Sequence, residues 1–376
     1  MEHQNINSMK KTKQMQTFVK RGFIAILFAV AALSGCKKIY GIPDEKDYLS
    51  SNVNYSNKIF EPILGRTTLM GGFNGDNSTQ PIKFGIINAR FGDGRPVSDL
   101  FQKKNTYVWL APYDGLEKSL AAIEAKRKLE EHPLFEVRSS GEFIMWASST
   151  NELITPRSAD STNFAQDTRY FDLKISNTGG STVIKDLQVR PFRERQYEPS
   201  DDFNIYSGKP APHPKTPYNP ASRNYIRPFL NGVIGATTDI ALQSNDDKKD
   251  VVVYIRPFSG GNGNSLRFKF LNKDSVAINP ALFNETTWDK IVHGFNIQKT
   301  AAYVQYDVAY PIPLVNVPTI YAPGGTRDHA EFKYSRIGFG GGRVVASFGI
   351  DFAIYKKGDW EIVFHFLKDN PKFEDE

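Results

Sequence analysis

The chain has 376 residues, with 47 Lys and Arg against 41 Asp and Glu, 27 Phe, 17 Tyr, 29 Gly, 22 Pro and one cysteine. Its formal charge of +6 falls to +2 once the five cations and Glu2 of the first 35 residues are set aside, which leaves no basic field for nucleic acid. A lone cysteine excludes an internal disulfide, and the aromatic, Gly-rich and Pro-rich composition fits folded β structure with many turns.

Lys10, Lys11, Lys13, Lys20 and Arg21 precede an apolar run from Phe23 to Leu33, and small Ser34 and Gly35 follow. That is the order of a secretory signal, and the run falls short of the ~18 apolar residues a spanning helix needs. Leu33-Ser34-Gly35-Cys36 resembles the lipobox of bacterial lipoproteins. Residues 1–35 are therefore expected to be a lipoprotein signal peptide, Cys36 the lipidated first residue of the mature chain, and 36–57 a polar tether. Acylation would also remove a thiol that is a liability in an oxidising compartment. Met1, Met9 and Met15 all stay open as the start.

A first domain is predicted over 58–197. Ile82, Phe84 and Ile86 alternate with polar positions, as do Phe171, Leu173 and Ile175, the mark of half-buried strands. Asn177-Thr178-Gly179-Gly180 supplies a turn. Between them Asp114 and Glu117 form a capping pattern, Leu116, Leu120 and Ile123 a short apolar stripe, and Glu124 and Lys128 an i,i+4 pair, so one helix is predicted up to Pro133.

Residues 198–228 hold seven prolines from Pro199 to Pro228 and read as a linker. The second domain, 229–376, opens with Val251 to Phe258 and Leu266 to Leu271 around a Gly/Asn turn, predicted as a hairpin. Phe332 to Ile337, Val344 to Tyr355 and Trp360 to Leu367 then suggest a three-stranded meander with one oily face. Such a face needs a covering layer. The predicted fold class is mainly β: two β-sandwich domains, the first Ig-like with one helix, the second jelly-roll-like.

Motifs for chemistry are sparse. The histidines are scattered without metal-ligand spacing, and no cofactor is indicated. Gly338 to Gly342 precedes a strand rather than a helix, which excludes a phosphate loop. There is no Gly-x-Ser-x-Gly elbow. Asp307, Asp328, Glu331, Asp351 and Glu361 lie in or near second-domain strands, and two carboxylates at ~5–10 Å would suffice for a glycosidase. Aromatic faces suit sugar rings, and Tyr206, Tyr218, Tyr225 and Trp288 are the candidate carbohydrate-binding residues.

Lys38-Ile-Tyr-Gly-Ile-Pro-Asp-Glu-Lys-Asp-Tyr-Leu49, Tyr55-Ser-Asn-Lys-Ile-Phe-Glu-Pro62 with Gly65-Arg66-Thr67, and Gly358-Asp-Trp-Glu-Ile-Val-Phe-His-Phe366 resemble an uncharacterised family of Bacteroidetes lipoproteins. The resemblance implies a place beside a TonB-dependent outer-membrane porter and its SusD-like partner, which take up glycans. It carries no functional residue. Lys37 after the cysteine, in place of aspartate, points to an outer-membrane anchor and leaves its periplasmic or surface face open. The expectation is a non-catalytic accessory lipoprotein that binds carbohydrate, its porter partner or both. A glycoside hydrolase or lyase on the second domain and a structural outer-membrane scaffold are the alternatives.

Overall fold

A computed structural model describes residues 47–158, 167–219 and 221–376. Cys36 and the segment before it lie outside the described residues. The protein is mainly β, and its strands form two bodies, each around its own apolar core.

The first body contains β1 (Asn54–Tyr55), β2 (Ile59–Phe60), β3 (Thr68–Met70), β4 (Phe73–Asn74), β5 (Lys83–Phe91), β6 (Lys103–Trp109), β7 (Arg127–Pro133), β8 (Phe135–Val137), β9 (Phe143–Met145), β10 (Arg169–Asn177) and β11 (Gly180–Val189). One sheet has the order β2-β11-β10-β5, and a smaller one β3-β9-β8. Phe171, Leu173 and Ile175 of β10 turn inward as their alternation predicts, and Phe171 meets Phe135 and Phe143 at ring separations of 5.6 and 5.2 Å. The turn into β11 requires glycine at 179, where a Cβ would stand 2.2 Å from the carbonyl oxygen of Asp47.

The predicted helix up to Pro133 is mostly absent. Only α1 (Leu120–Glu124) is helical, capped by Ser119, whose hydroxyl accepts from the Ala122 N–H at 3.1 Å. Residues 127–133 form β7 and pair in full with β6. Glu124 binds Arg127 and Lys128 binds Glu130, so the i,i+4 pair does not form. A continuous ladder outweighs the weak preference of so short a helical stripe.

The second body contains β12 (Tyr197–Glu198), β13 (Phe229–Asn231), β14 (Val251–Pro257), β15 (Ser265–Leu271), β16 (Gly294–Lys299), β17 (Val304–Val308), β18 (Asp328–Ile337), β19 (Arg343–Ile354) and β20 (Trp360–Phe366). One sheet gathers β12, β13 and β18 on the long β19, and the other runs β14-β20-β15-β17-β16. β14 and β15 are thus not a hairpin: β20 lies between them, antiparallel to one and parallel to the other. Nor do the last three strands stay in one sheet. β18 and β19 form a hairpin, while β20 crosses to the facing layer. Both β19 and β20 have an oily face, and setting them opposite each other buries both. Phe348 therefore meets Phe270 at 5.8 Å and Phe364 at 5.3 Å across the sandwich.

Two stretches bind the bodies together. The Pro-rich segment 198–228 is attached to the second body at both ends, where β12 pairs with β19 and Ile226 bridges Val253, and between them it bridges to itself at Phe203–Pro210 and Pro212–Arg223. From the other side, the β6–α1–β7 arm of the first body reaches over the second. Ile123, with Trp109 and Leu120, packs on Ala309, Leu314 and Phe295, and Arg127 donates to the Tyr310 carbonyl at 2.8 Å.

A polar cluster finishes this contact. His293 Nε2 is 2.9 Å from the Glu117 carbonyl oxygen, and its Nδ1 is 2.6 Å from the Tyr113 hydroxyl. A carbonyl can only accept, so Nε2–H donates to it, and in the neutral imidazole Nδ1 then accepts from the tyrosine. The Tyr321 ring stacks on the imidazole at 4.9 Å. Asp328, 3% exposed, carries its charge close enough to both phenols to push their ionisation up further than burial alone does.

Candidate functional site

Arg190-Pro-Phe192 follows β11, the last strand of the first body, and the chain then pairs along β19 at Tyr197–Glu198. This places Arg195 and Glu198 between the bodies. Arg66, from the loop between β2 and β3, approaches from one side, and Arg327, the residue before β18, from the other.

Three guanidinium groups converge on one carboxylate. Arg66 lies 3.0 Å and Arg195 3.3 Å from Glu198 Oε1, and Arg327 lies 3.1 Å from Oε2. The Arg66 guanidinium also sits 3.6 Å over the Tyr355 ring, a cation–π contact that fixes its plane. The Nε atoms of Arg66 and Arg195 are buried without a hydrogen-bond partner. Glu198 is held, 12% exposed on its side chain. Its burial disfavours the charge, yet Arg66 and Arg195, with hydrogen bonds from Arg66 and Arg327, keep its carboxyl below the usual range. Burial pushes the Arg195 cation down, and the like charges of Arg66 and Arg327 add to that against the pull of Glu198.

Beside this cluster opens a cleft of about 410 Å³. Arg195, Glu198, Ser200, Asp201, Asn224 and Arg327 give it a polar wall, and Phe203 and Ile205 an apolar one. Burial raises the Asp201 carboxyl, although Arg227 and Arg327 oppose the shift. Asp202 next to it is also raised by burial and accepts from the Tyr197 hydroxyl at 3.3 Å. The cleft thus offers fixed cationic donors, a fixed anionic acceptor, an amide and a hydroxyl beside an aromatic ring. That set can hold a small polyhydroxylated or charged molecule by paired hydrogen bonds with one face on Phe203.

None of the four aromatic residues singled out from sequence lines this cleft. Tyr206 is partly exposed and packs on Phe192 at 5.9 Å. Tyr218 is 97% exposed. Tyr225 is buried, its hydroxyl donating towards the carbonyls of Asn245 and Lys248, so its ring offers no platform for a sugar. Trp288 packs against the second core, 5.7 Å from Phe332. The five candidate acids are likewise drawn to separate partners. Asp307 accepts from Asn262 and Asn296, Asp351 from His329, Glu331 pairs with Lys333, and Glu361 is gripped by Arg256 and Arg267, while Asp328 is buried in the polar cluster of the arm.

Sequence reasoning missed Glu198, Arg195, Arg66 and Arg327. The one local signal was the density of opposite charges from Arg193 to Asp202, at the entry to the Pro-rich stretch. Among the described residues no three His, Cys, Asp or Glu side chains are grouped to hold a metal, and no helix is long and apolar enough to cross a membrane.

No curated protein and no solved structure matches the chain. One family match runs over residues 73–375, through both bodies, the whole cleft lining and all of the Glu198 cluster except Arg66, and the chain belongs to the family described as "Domain of unknown function (DUF5007)".

Proposed function

We propose that the protein is a non-catalytic, lipid-anchored accessory component of a bacterial outer-membrane glycan-uptake system, which binds carbohydrate at the cleft beside Glu198. The observation that carries this reading is the cleft wall itself. Arg195 and Glu198 present planar groups held in place before any ligand arrives, with Arg327, Asn224 and Phe203 beside them. Such groups can bind neighbouring hydroxyls of a pyranose in pairs, and their prior fixation lowers the ordering cost of binding. The lipobox at Cys36 and the resemblance to Bacteroidetes lipoproteins supply the setting, with a TonB-dependent porter and its SusD-like partner as neighbours.

Titration calorimetry of the chain from residue 37 against a panel of oligosaccharides tests the binding. At least one should bind, and Arg195→Gln should weaken it about tenfold or more, the worth of one charge-assisted hydrogen bond. A blank panel sinks the reading. For the anchor, Cys36→Ser should abolish incorporation of labelled palmitate and release the protein from membranes.

One observation favours a glycoside hydrolase as the second reading: in the same cleft Glu198 is held low and Asp201 is pushed up, the split that separates a carboxylate from a general acid. Against it, both oxygens of Glu198 are already engaged by guanidinium groups. Release of reducing ends from the bound oligosaccharide, abolished by Asp201→Asn, would decide for hydrolysis.

A further inference from the structure

We infer that the cleft selects an acidic saccharide, with the carboxylate of a uronic acid residue seated between Arg195 and Arg327. This rests on the carbohydrate-binding reading and names the ligand class within it.

The argument is a count of donors and charge. Arg66, Arg195 and Arg327 bring three positive charges to a single carboxylate, Glu198. Arg227, the next cation, is matched by Asp246 at 2.5 Å and adds nothing to the surplus. Asp202 is turned to the Tyr197 hydroxyl, so Asp201 is the one other acid on the cleft wall. On the wall itself Arg195 and Arg327 stand against Glu198 and Asp201, and Arg66, off the wall on Glu198 Oε1, adds the third positive charge to the cluster.

Donors are in greater surplus than charge. Each guanidinium has five N–H groups. Arg327 gives one to Glu198 through its Nη2, and Arg195 makes its ion pair through Nη1 alone. A neutral hydroxyl would accept from such a donor, but an oxyanion accepts roughly twice as strongly and also compensates the desolvated cation. Glu198 already demonstrates the fit, since its planar carboxylate is the shape around which the cluster is arranged. Arg327, 42% exposed on its side chain, is the member that can turn from Glu198 to a ligand at least loss. A cleft of about 410 Å³ lies towards the lower end of small-molecule sites, ~300–1,000 Å³, and so suits one end of a chain or a short oligomer.

Calorimetry on the chain from residue 37 tests this with matched pairs of oligosaccharides: galacturonate, glucuronate-containing and mannuronate oligomers against their carboxyl-reduced neutral forms, at low and at 0.5 M salt. A sulfated oligosaccharide forms a third arm. The expected result is that an acidic member binds about tenfold or more tighter than its neutral form, that the preference shrinks at high salt, and that Arg327→Gln removes most of it while circular dichroism stays unchanged. Arg327→Lys should recover part of the preference, because charge returns without the fork. Equal affinity for acidic and neutral forms, or a preference that survives Arg327→Gln, overturns the inference and leaves carbohydrate binding standing. Equal or tighter binding of the sulfated arm overturns the carboxylate assignment. No binding by any arm removes both readings together.

Discussion

Asp328 gives the sharpest test of the structure. It begins β18, is 3% exposed, and burial alone pushes its carboxyl up to about 7. In the unfolded chain the group sits at its ordinary value, 3.8. Between these two values the folded protein holds a proton that the unfolded chain has released, so stability falls as pH rises through the window. Some three pKa units at ~1.4 kcal/mol each set a penalty of roughly 4 kcal/mol above pH 7, absent below pH 4. Asp328→Asn keeps the shape and never ionises. A buried amide without a partner costs ~1–3 kcal/mol, so the variant is expected to be close to the wild type or below it at pH 4.5 and more stable by roughly 1–3 kcal/mol at pH 8. Urea denaturation followed by tryptophan fluorescence at both pH values measures this. The comparison must be variant against wild type at each pH, since paired acids such as Glu361 and Asp172, whose carboxyls are held low, lose stabilisation as pH falls. A difference between the two proteins that does not change from pH 4.5 to pH 8 would refute the burial argument for Asp328.

Four further outcomes follow from the packing. Ile123→Ala should destabilise the protein by ~2–4 kcal/mol, because Ile123 is fully buried where the arm meets the second body; calorimetric melting should also split into two transitions if that contact couples the bodies. Gly179→Ala should cost ~1–3 kcal/mol in chemical denaturation, since its Cβ would meet the Asp47 carbonyl. Tyr218→Ala should leave stability within ~0.5 kcal/mol and saccharide affinity unchanged, whereas Tyr225→Phe, which strips a hydroxyl from two carbonyls, should lower stability by ~1 kcal/mol or more in the same assay.

Strands such as β10 and β19 could be read from sequence because alternation of Phe171, Leu173 and Ile175, or of Ala346 through Ile354, is a local pattern that any covering layer rewards. Pairing is not local. Nothing in the apolar run of β15 announces that its neighbour is β20, 94 residues on for the aligned Leu266 and Trp360, or that the two run parallel. Of the pattern at Asp114 only Leu120 and Ile123 fall in the helix, which Ser119 caps in place of Asp114, and the residues from Arg127 serve a ladder with β6 as readily as a helix, so the ladder decides. The cleft was least legible of all. Its ion pair joins Arg66 to Glu198 across 132 residues, and aromatic residues, conspicuous in the composition, draw attention to the core rather than to the arginines.

The arm of the first body also decides where this chain can be cut. Composition alone would divide it at the edges of the Pro-rich stretch, near 198 or 228. A fragment ending at 197 would keep Ile123, Trp109 and Leu120 with nothing to lie on, and a fragment starting at 229 would bare Ala309, Leu314 and Phe295 and lose the strand that carries Glu198. Each half would then expose an adhesive apolar patch, and poor solubility of either would say nothing about the uncut protein. Expression of the chain as one piece is the form in which its surface is the native one.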